Sequence, residues 1–303
     1  MRNNLIVIFC FFLLAGFKPP QKNNNAEHSA ALDKPLSTNH SLLWQISGNG
    51  LKQTSYLYGT IHVISNEDYF LGKNVKKKLE KSSELIMEMD LNNIDVASLT
   101  MLSLLDSGKT IKNYMSDSDY QMIQAFMLDS IGIKKYTFEM FYAKLKPFYL
   151  EQLIFIKHLG EEKESYEDNF KKIAEAKNIK ITGLETLSEQ LQFLEEIPLE
   201  IQLKSIIKTI KEYSAETKEL DKLIQDYKSQ NLDALTASFQ DEDSIWKEKL
   251  LDKRNSSWIP KIKNAIYQNS CFIAVGAGHL GGENGLIELL KKQGFNVEPI
   301  SLD

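Results

Sequence analysis

The stretch "CFIAVGAGHLGGENGLIELL" (Cys271–Leu290) decides the fold, because it admits two incompatible readings. An apolar, β-prone run leads into a glycine-rich turn, and a helical period follows. Gly276, Gly278 and Gly281 spell G-x-G-x-x-G after a strand and before a helix, which is the dinucleotide fingerprint. Glu298 then stands about where that fingerprint places its ribose-binding acid. The second reading starts from His279, one of five histidines in the chain. Position decides between them. A dinucleotide-binding half is βαβαβ with the fingerprint in its first turn. Here only one further strand, "FNVEPIS", precedes Asp303. No nucleotide cofactor is therefore expected.

The histidine reading has a twin. Gly59-Thr60-Ile61-His62 and Gly276-Ala277-Gly278-His279 share the pattern G-x-x-H, each after a β-prone run. In parallel α/β sheets, ligands gather beyond the carboxyl ends of the strands. The two histidines are thus expected to converge, with each glycine letting the backbone turn sharply and come close to a ligand. Two imidazoles plus a carboxylate with an open position make a hydrolytic metal site. Glu88 is the leading carboxylate. It closes the next apolar run, "LIMEMD", where an acid needs a partner, a metal or solvent. Glu84, Glu88 and Asp90 share one side of that strand by their even spacing.

Between these ends the chain alternates and then turns helical. "LLWQIS" and "SYLYGT" flank the turn "SGNG" as a hairpin. "NVKKKLEKSS" reads as a helix and "ELIMEMD" as a strand, the order of a parallel α/β unit. From about residue 95 to 267 the period is mostly helical, interrupted by a strand in "IKITGLET". Asn178 reads as a helix C-cap, and His158 as a helix-face residue. The fold class expected is α/β: a central mostly parallel or mixed sheet flanked by helices, with a large helical insertion between the two G-x-x-H strand-loop motifs. Residues 41–303 read as one domain.

Composition excludes some partners. The 303 residues are 43% hydrophobic and 25% charged, with a net charge of −5. No basic, aromatic-interleaved surface invites nucleic acid. Residues 1–20 combine Arg2 with the apolar run Leu5–Phe17, short for a bilayer span and apt for a secretory signal. The expected location is secreted or periplasmic, with no membrane span once the signal is removed. Anchoring by residues 5–17 is the alternative. Residues 21–40 are a polar lead-in, in which His28 and His40 are solvated. Cys10 falls within the signal, and Cys271 reads as a buried small hydrophobe.

Several ordered motifs carry a family resemblance. "LLWQISGNGLKQTSYLYGTIHV" (Leu42–Val63), "LIMEMD", "GLETLSEQ" (Gly183–Gln190), "LLDKRNSSWIPKI" (Leu250–Ile262) and "VGAGHLGGENGLIELLKKQGF" (Val275–Phe295) resemble the TraB/GumN family. That family includes PrgY-like proteins and the animal Tiki proteases. The resemblance implies a fold akin to erythromycin esterase. It also implies a divalent-metal-dependent hydrolase, because Tiki-like members are proteases that need such ions. Carried over by motif, His62, Glu88 and His279 become catalytic residues and metal ligands, for Mn, Co or Zn. Glu185 and Glu189 belong to an E-T-x-x-E-Q motif, with Glu185 placed to take a proton from water. Arg254 and Asn255 belong to an R-N motif. With Glu189 they are candidates for substrate binding. The family's acid before the arginine is Lys253 here, with Asp252 adjacent.

Alternatives remain open at this level. Without a metal, His62 serves as a general base. Arg254 either clamps a substrate carbonyl or carboxylate, or pairs with Glu185 or Asp90. Asn255 reads as a cap for the helix that follows, and Glu185 as a helix-capping acid. The substrate expected is a peptide or a small acyl compound. The competing function is a protein that binds or sequesters a peptide signal without cleaving it.

Overall fold

The computed structural model describes residues 41–89, 96–106, 108–240 and 244–303. Residues 1–40, which the sequence suggests are a signal and lead-in, lie outside the described residues with Cys10, His28 and His40, as does Asp90.

A six-stranded sheet organises the molecule. Its strands are β1 (Leu43–Ser47), β2 (Ser55–Thr60), β4 (Glu84–Met89), β6 (Lys180–Glu185), β7 (Cys271–Gly276) and β8 (Asn296–Ile300). Their spatial order is β6-β4-β7-β2-β1-β8. β2, β7, β4 and β6 run parallel, while β1 is antiparallel to both β2 and β8. The hairpin, the strand at 84–89 and the strand within "IKITGLET" all form as the sequence predicts. The pairing differs in one respect. β2 and β4 do not pair directly, because β7 lies between them and pairs with both.

The burial of each strand explains its place. Every residue of β4 and β7 is buried, as strands are when helices cover both faces of a parallel sheet, and β4 buries Glu84 and Glu88 among its apolar residues. β8 alternates and is largely exposed, so it tolerates Pro299 at the sheet edge.

Helices α1 (Lys73–Lys81), α2 (Val96–Ser103), α3 (Asp117–Asp129), α4 (Lys135–Met140), α5 (Pro147–His158) and α6 (Tyr166–Ala176) precede β6. A short ladder pairs β3 (Val63–Ser65) antiparallel with β5 (Lys163–Ser165), an element the sequence reading did not foresee. After β6 come α7 (Leu187–Glu195), α8 (Leu199–Lys211), α9 (Tyr213–Lys228), α10 (Leu232–Gln240) and α11 (Ser244–Lys247). A π-helical turn at Glu248–Asp252 then runs into α12 (Lys253–Gln268), and α13 (Leu286–Lys292) follows β7. The helical stretch lies between the two G-x-x-H motifs, as expected. It returns to the sheet to supply β6, and α12 packs on the sheet.

Side chains alternate across β7. Phe272 and Ala274 join Tyr58, Leu79 and Met87 under α1, α6 and α9. Ile273 and Val275 join Leu57, Ile86 and Leu286 under α12 and α13. A third core, with Phe138, Phe148, Ile154, Leu194 and Ile206, binds the inserted helices to one another.

Local signals behave as their chemistry dictates. Ser116 and Ser165 cap α3 and α6 through their hydroxyls. Asn178 takes φ +53 just beyond α6. His158 sits at the end of α5 with Nε2 2.8 Å from Asp221. Cys271 is buried, and burial pushes its thiol up to about 12. Among the described residues no helix is long and apolar enough to cross a membrane.

Candidate functional site: a buried His–Glu–Arg cluster at the strand ends

Strand register brings the two G-x-x-H motifs together. Gly59 pairs with Val275 and Thr60 with Gly276, so both motifs leave the sheet at the same level. Gly59 serves packing here. Gly276 has φ −53, so no left-handed backbone requires it. At Gly59 an added Cβ would lie 2.9 Å from Leu280 Cδ2 and 3.1 Å from Ala277 Cα. β2 lacks a side chain at Gly59 because the loop after β7 occupies that space. The expected sharp turn toward a ligand is, at Gly59, close packing of β2 against the loop after β7.

His62 follows β2 and is 8% exposed. Its Nδ1 lies 2.8 Å from Glu167 Oε1. Thr60 Oγ1 donates to the same oxygen at 2.8 Å. A carboxylate oxygen accepts, so Nδ1 carries a proton, and in the neutral ring Nε2 is bare. That Nε2 lies 3.6 Å from Glu88 Oε1.

His279 is fully buried, its ring 4.4 Å centroid to centroid from that of Trp258. Its Nδ1 lies 2.7 Å from Asn255 Oδ1. Arg254 Nη1 lies 3.3 Å from its Nε2. Guanidinium only donates, so Nε2 accepts and Nδ1–H donates to Asn255. This Nε2 is also 3.6 Å from Glu88 Oε1. Glu88 is therefore the common neighbour of both imidazoles. The same oxygen accepts the Gly276 N–H at 2.8 Å, and Oε2 accepts Arg254 Nη2 at 2.6 Å.

Arg254 is wholly buried. Its Nη2 and Nε donate to the two oxygens of Glu185, and Nη1 donates to Leu250 O. Trp258 Nε1 donates to Glu185 Oε2 at 3.1 Å. The guanidinium thus joins Glu88 to Glu185, the ion-pair alternative of the sequence reading. Both oxygens of Glu185 accept hydrogen bonds, Oε1 from Arg254 and Oε2 from Arg254 and Trp258.

Asn255 lies inside α12 and not at its cap. Its side chain holds the His279 ring and donates from Nδ2 to Asn284 O. Glu189 completes a capping box with Thr186 and reaches toward Lys261, so its carboxylate serves the start of α7. The π turn before α12 widens one helical turn just ahead of Arg254, a feature frequent at functional sites.

Electrostatics separate the two histidines. Burial pushes His62 down, but Glu167 and Glu88 outweigh it and leave its pKa raised. Burial dominates at His279 and, with the Arg254 charge, holds it at about 3. For Glu88, burial pushes upward, yet Arg254, the imidazoles and the Gly276 N–H hold it well below the usual carboxylate range. Burial raises Glu185, and Arg254 offsets this only in part.

The donors are right in kind for a divalent ion. Each Nδ1 is tied to an oxygen, which is how metal-binding imidazoles are oriented. A tetrahedral ion with bonds of about 2.0–2.2 Å sets its ligand atoms roughly 3.3–3.6 Å apart, and both Nε2–Glu88 separations are 3.6 Å. Arg254 competes for the lone pair of His279. As placed, no group of three or more His, Cys, Asp or Glu among the described residues is gathered as an ion cage.

Two cavities flank the cluster. One of about 280 Å³ reaches Asn255 and Gly278, and one of about 320 Å³ reaches Glu185 and Met89. Glu167 and Trp258 are site members that the sequence reading missed. In sequence Glu167 resembles any acid in a first helical turn, and Trp258 any core aromatic.

Comparison with known proteins agrees with the motifs. The chain is 23% identical to a protein of Xenopus tropicalis named metalloprotease TIKI1, over 94% of this chain and 66% of the relative. It is 22% identical to metalloprotease TIKI2 of Danio rerio, over 97% of this chain and 67% of that protein. The chain thus spans about two thirds of the length of these relatives. No solved structure matches it. The model of the TraB/PrgY/gumN family matches residues 42–299, and the chain belongs to that family.

Proposed function

We propose that this protein is a divalent-metal-dependent hydrolase that cleaves peptide bonds at the His62–Glu88–His279 cluster. One observation carries the reading. Both imidazoles hold their proton on Nδ1 against an oxygen and place Nε2 3.6 Å from the same oxygen of Glu88. The names of the two relatives support the peptide class.

His62 Nε2, His279 Nε2 and Glu88 Oε1 would hold the ion, which would supply a polarised, acidified water. Glu167 and Asn255 orient the two rings. Arg254 keeps Glu88 ionised at neutral pH, so the carboxylate is ready as a ligand. Burial excludes bulk water and strengthens each of these interactions.

The Arg254 contact with His279 favours a second, metal-free reading. In it His62 Nε2 takes the proton of the attacking water, and Glu167 stabilises the resulting imidazolium. Purified protein treated with EDTA, then supplied with Mn²⁺, Co²⁺ or Zn²⁺ and assayed on a peptide library, tests both. The metal reading expects cleavage only after metal is restored, and its loss in His62→Ala and His279→Ala. Cleavage that survives EDTA but not His62→Ala supports the metal-free reading. Peptide binding without cleavage under every condition would refute both and leave a sequestering protein.

A further inference from the structure

Glu167 has a position that helix formation does not explain. It lies in the first turn of α6, where an acid suits the positive end of the helix. Ser165 already caps that turn through Asp168 N. Asp168 gives the same turn a second acid. Glu167, in contrast, is 6% exposed and points inward. Its side-chain partners among the described residues are His62, Thr60 and Ser165. No lysine or arginine among them pairs with it, although a buried carboxylate is costly without strong partners.

The route that brings it there is also specific. β3 begins at the residue after His62, and β5 ends two residues before Glu167. Their antiparallel register pairs Val63 with Ser165 and Ile64 with Glu164. This three-residue ladder stands apart from the main sheet and ties the loop after β2 to the start of α6. The inserted chain thereby delivers a carboxylate to the first G-x-x-H motif.

We propose that Glu167 is the positioning residue of the site: clamped by the β3–β5 ladder, it fixes His62 as the Nδ1–H tautomer with Nε2 aimed at Glu88. This deepens the hydrolase reading and rests on it for the purpose served. The geometry itself stands without it. A ring free of this bond can turn over and exchange Nδ1 for Nε2. Thr60 Oγ1, donating to the same oxygen, keeps the carboxylate from following such a turn. Orienting partners of this kind typically contribute 10–100-fold to metal affinity.

The test uses the full chain with ¹⁵N-labelled histidine, reading the tautomer of His62 from its ring nitrogen shifts. In parallel, Zn²⁺ and Co²⁺ are titrated calorimetrically. Read at alkaline pH, where the ring is neutral, the parent should show Nδ1–H. Glu167→Ala should shift His62 toward Nε2–H or a mixture and weaken metal binding about 10–100-fold. Glu167→Gln, whose amide oxygen still accepts, should restore the tautomer. Should Glu167→Ala not fold, Glu167→Asp shortens the side chain by one methylene and should loosen the same bond. A His62 tautomer unchanged in the alanine or aspartate variant overturns the proposal, even if stability falls. If the parent binds no metal and cleaves nothing while the tautomer still depends on Glu167, the hydrolase reading fails and the positioning role stands.

Discussion

The two G-x-x-H ends of the molecule carry the same four-residue pattern and end in opposite environments. His62 meets a carboxylate, Glu167, and retains slight exposure. His279 meets an amide, Asn255, with a guanidinium on its other nitrogen and no exposure at all. One imidazole is raised and the other depressed. A motif places a histidine at a strand end, but the groups packed around it determine which proton it carries and how readily it gains a second.

The difference depends first on Arg254, the cation shared by Glu88, Glu185 and His279. Arg254→Leu leaves two carboxylates buried without their counter-ion. Breaking a buried pair in this way costs about 3–5 kcal/mol. Urea unfolding at pH 7 should show that loss. A change below about 1 kcal/mol would mean that the cluster relaxes freely and that the contrast between the histidines is not built into the fold.

The second test is titration. His279 is held at about 3, against 6.5 for an ordinary histidine. Below about 6.5 the unfolded chain therefore takes a proton that the folded chain refuses. Its contribution is present above that pH and is lost as pH falls toward 3. The slope is about 1.4 kcal/mol per pH unit once the unfolded histidine is fully protonated. His279→Gln removes this dependence, so the gap between parent and variant should narrow from pH 7 to pH 4. His62 runs the other way. Its pKa is raised, so its contribution is complete below the unfolded value and disappears as pH rises through the folded one. Parallel stability–pH curves for parent and His279→Gln would erase the comparison.

A smaller effect tests how the two ends are fitted together. Gly59→Ala forces a methyl group against Ala277 Cα and Leu280. Overpacking of this kind costs about 1–3 kcal/mol. It should also separate the two motifs and, on the hydrolase reading, weaken cleavage more than it weakens folding. Equal activity with a small stability loss would show that the loops tolerate the displacement.

Much of this was legible beforehand, and for identifiable reasons. Glu88 stood out because an acid at the end of "LIMEM" has no business in an apolar strand without partners. His62 and His279 stood out because both follow β-prone runs. Glu167 stayed hidden because "SYEDNF" is an ordinary amphipathic helix start, in which acids are expected. Arg254 was found, but not its direction: either substrate or a carboxylate would satisfy a guanidinium. Asn is common at helix caps, which makes Asn255 a cap candidate in the sequence, but the helix already begins at Lys253 after the π turn and Asn255 lies within it.

By itself the sequence determined the strands of the main sheet, the helical stretch between them, the family, and the two histidines and Glu88 at the strand ends. Those follow from local periodicity, turn chemistry and motif order, which are properties of neighbouring residues. Tertiary structure alone decided that β7 enters between β2 and β4, that a three-residue ladder carries Glu167 to His62, and that Arg254 turns toward Glu88 and Glu185. The reason is physical. Periodicity states which face of an element is buried, but not which other element covers it. A charged side chain's partner is set by whatever the fold brings within about 3 Å of it.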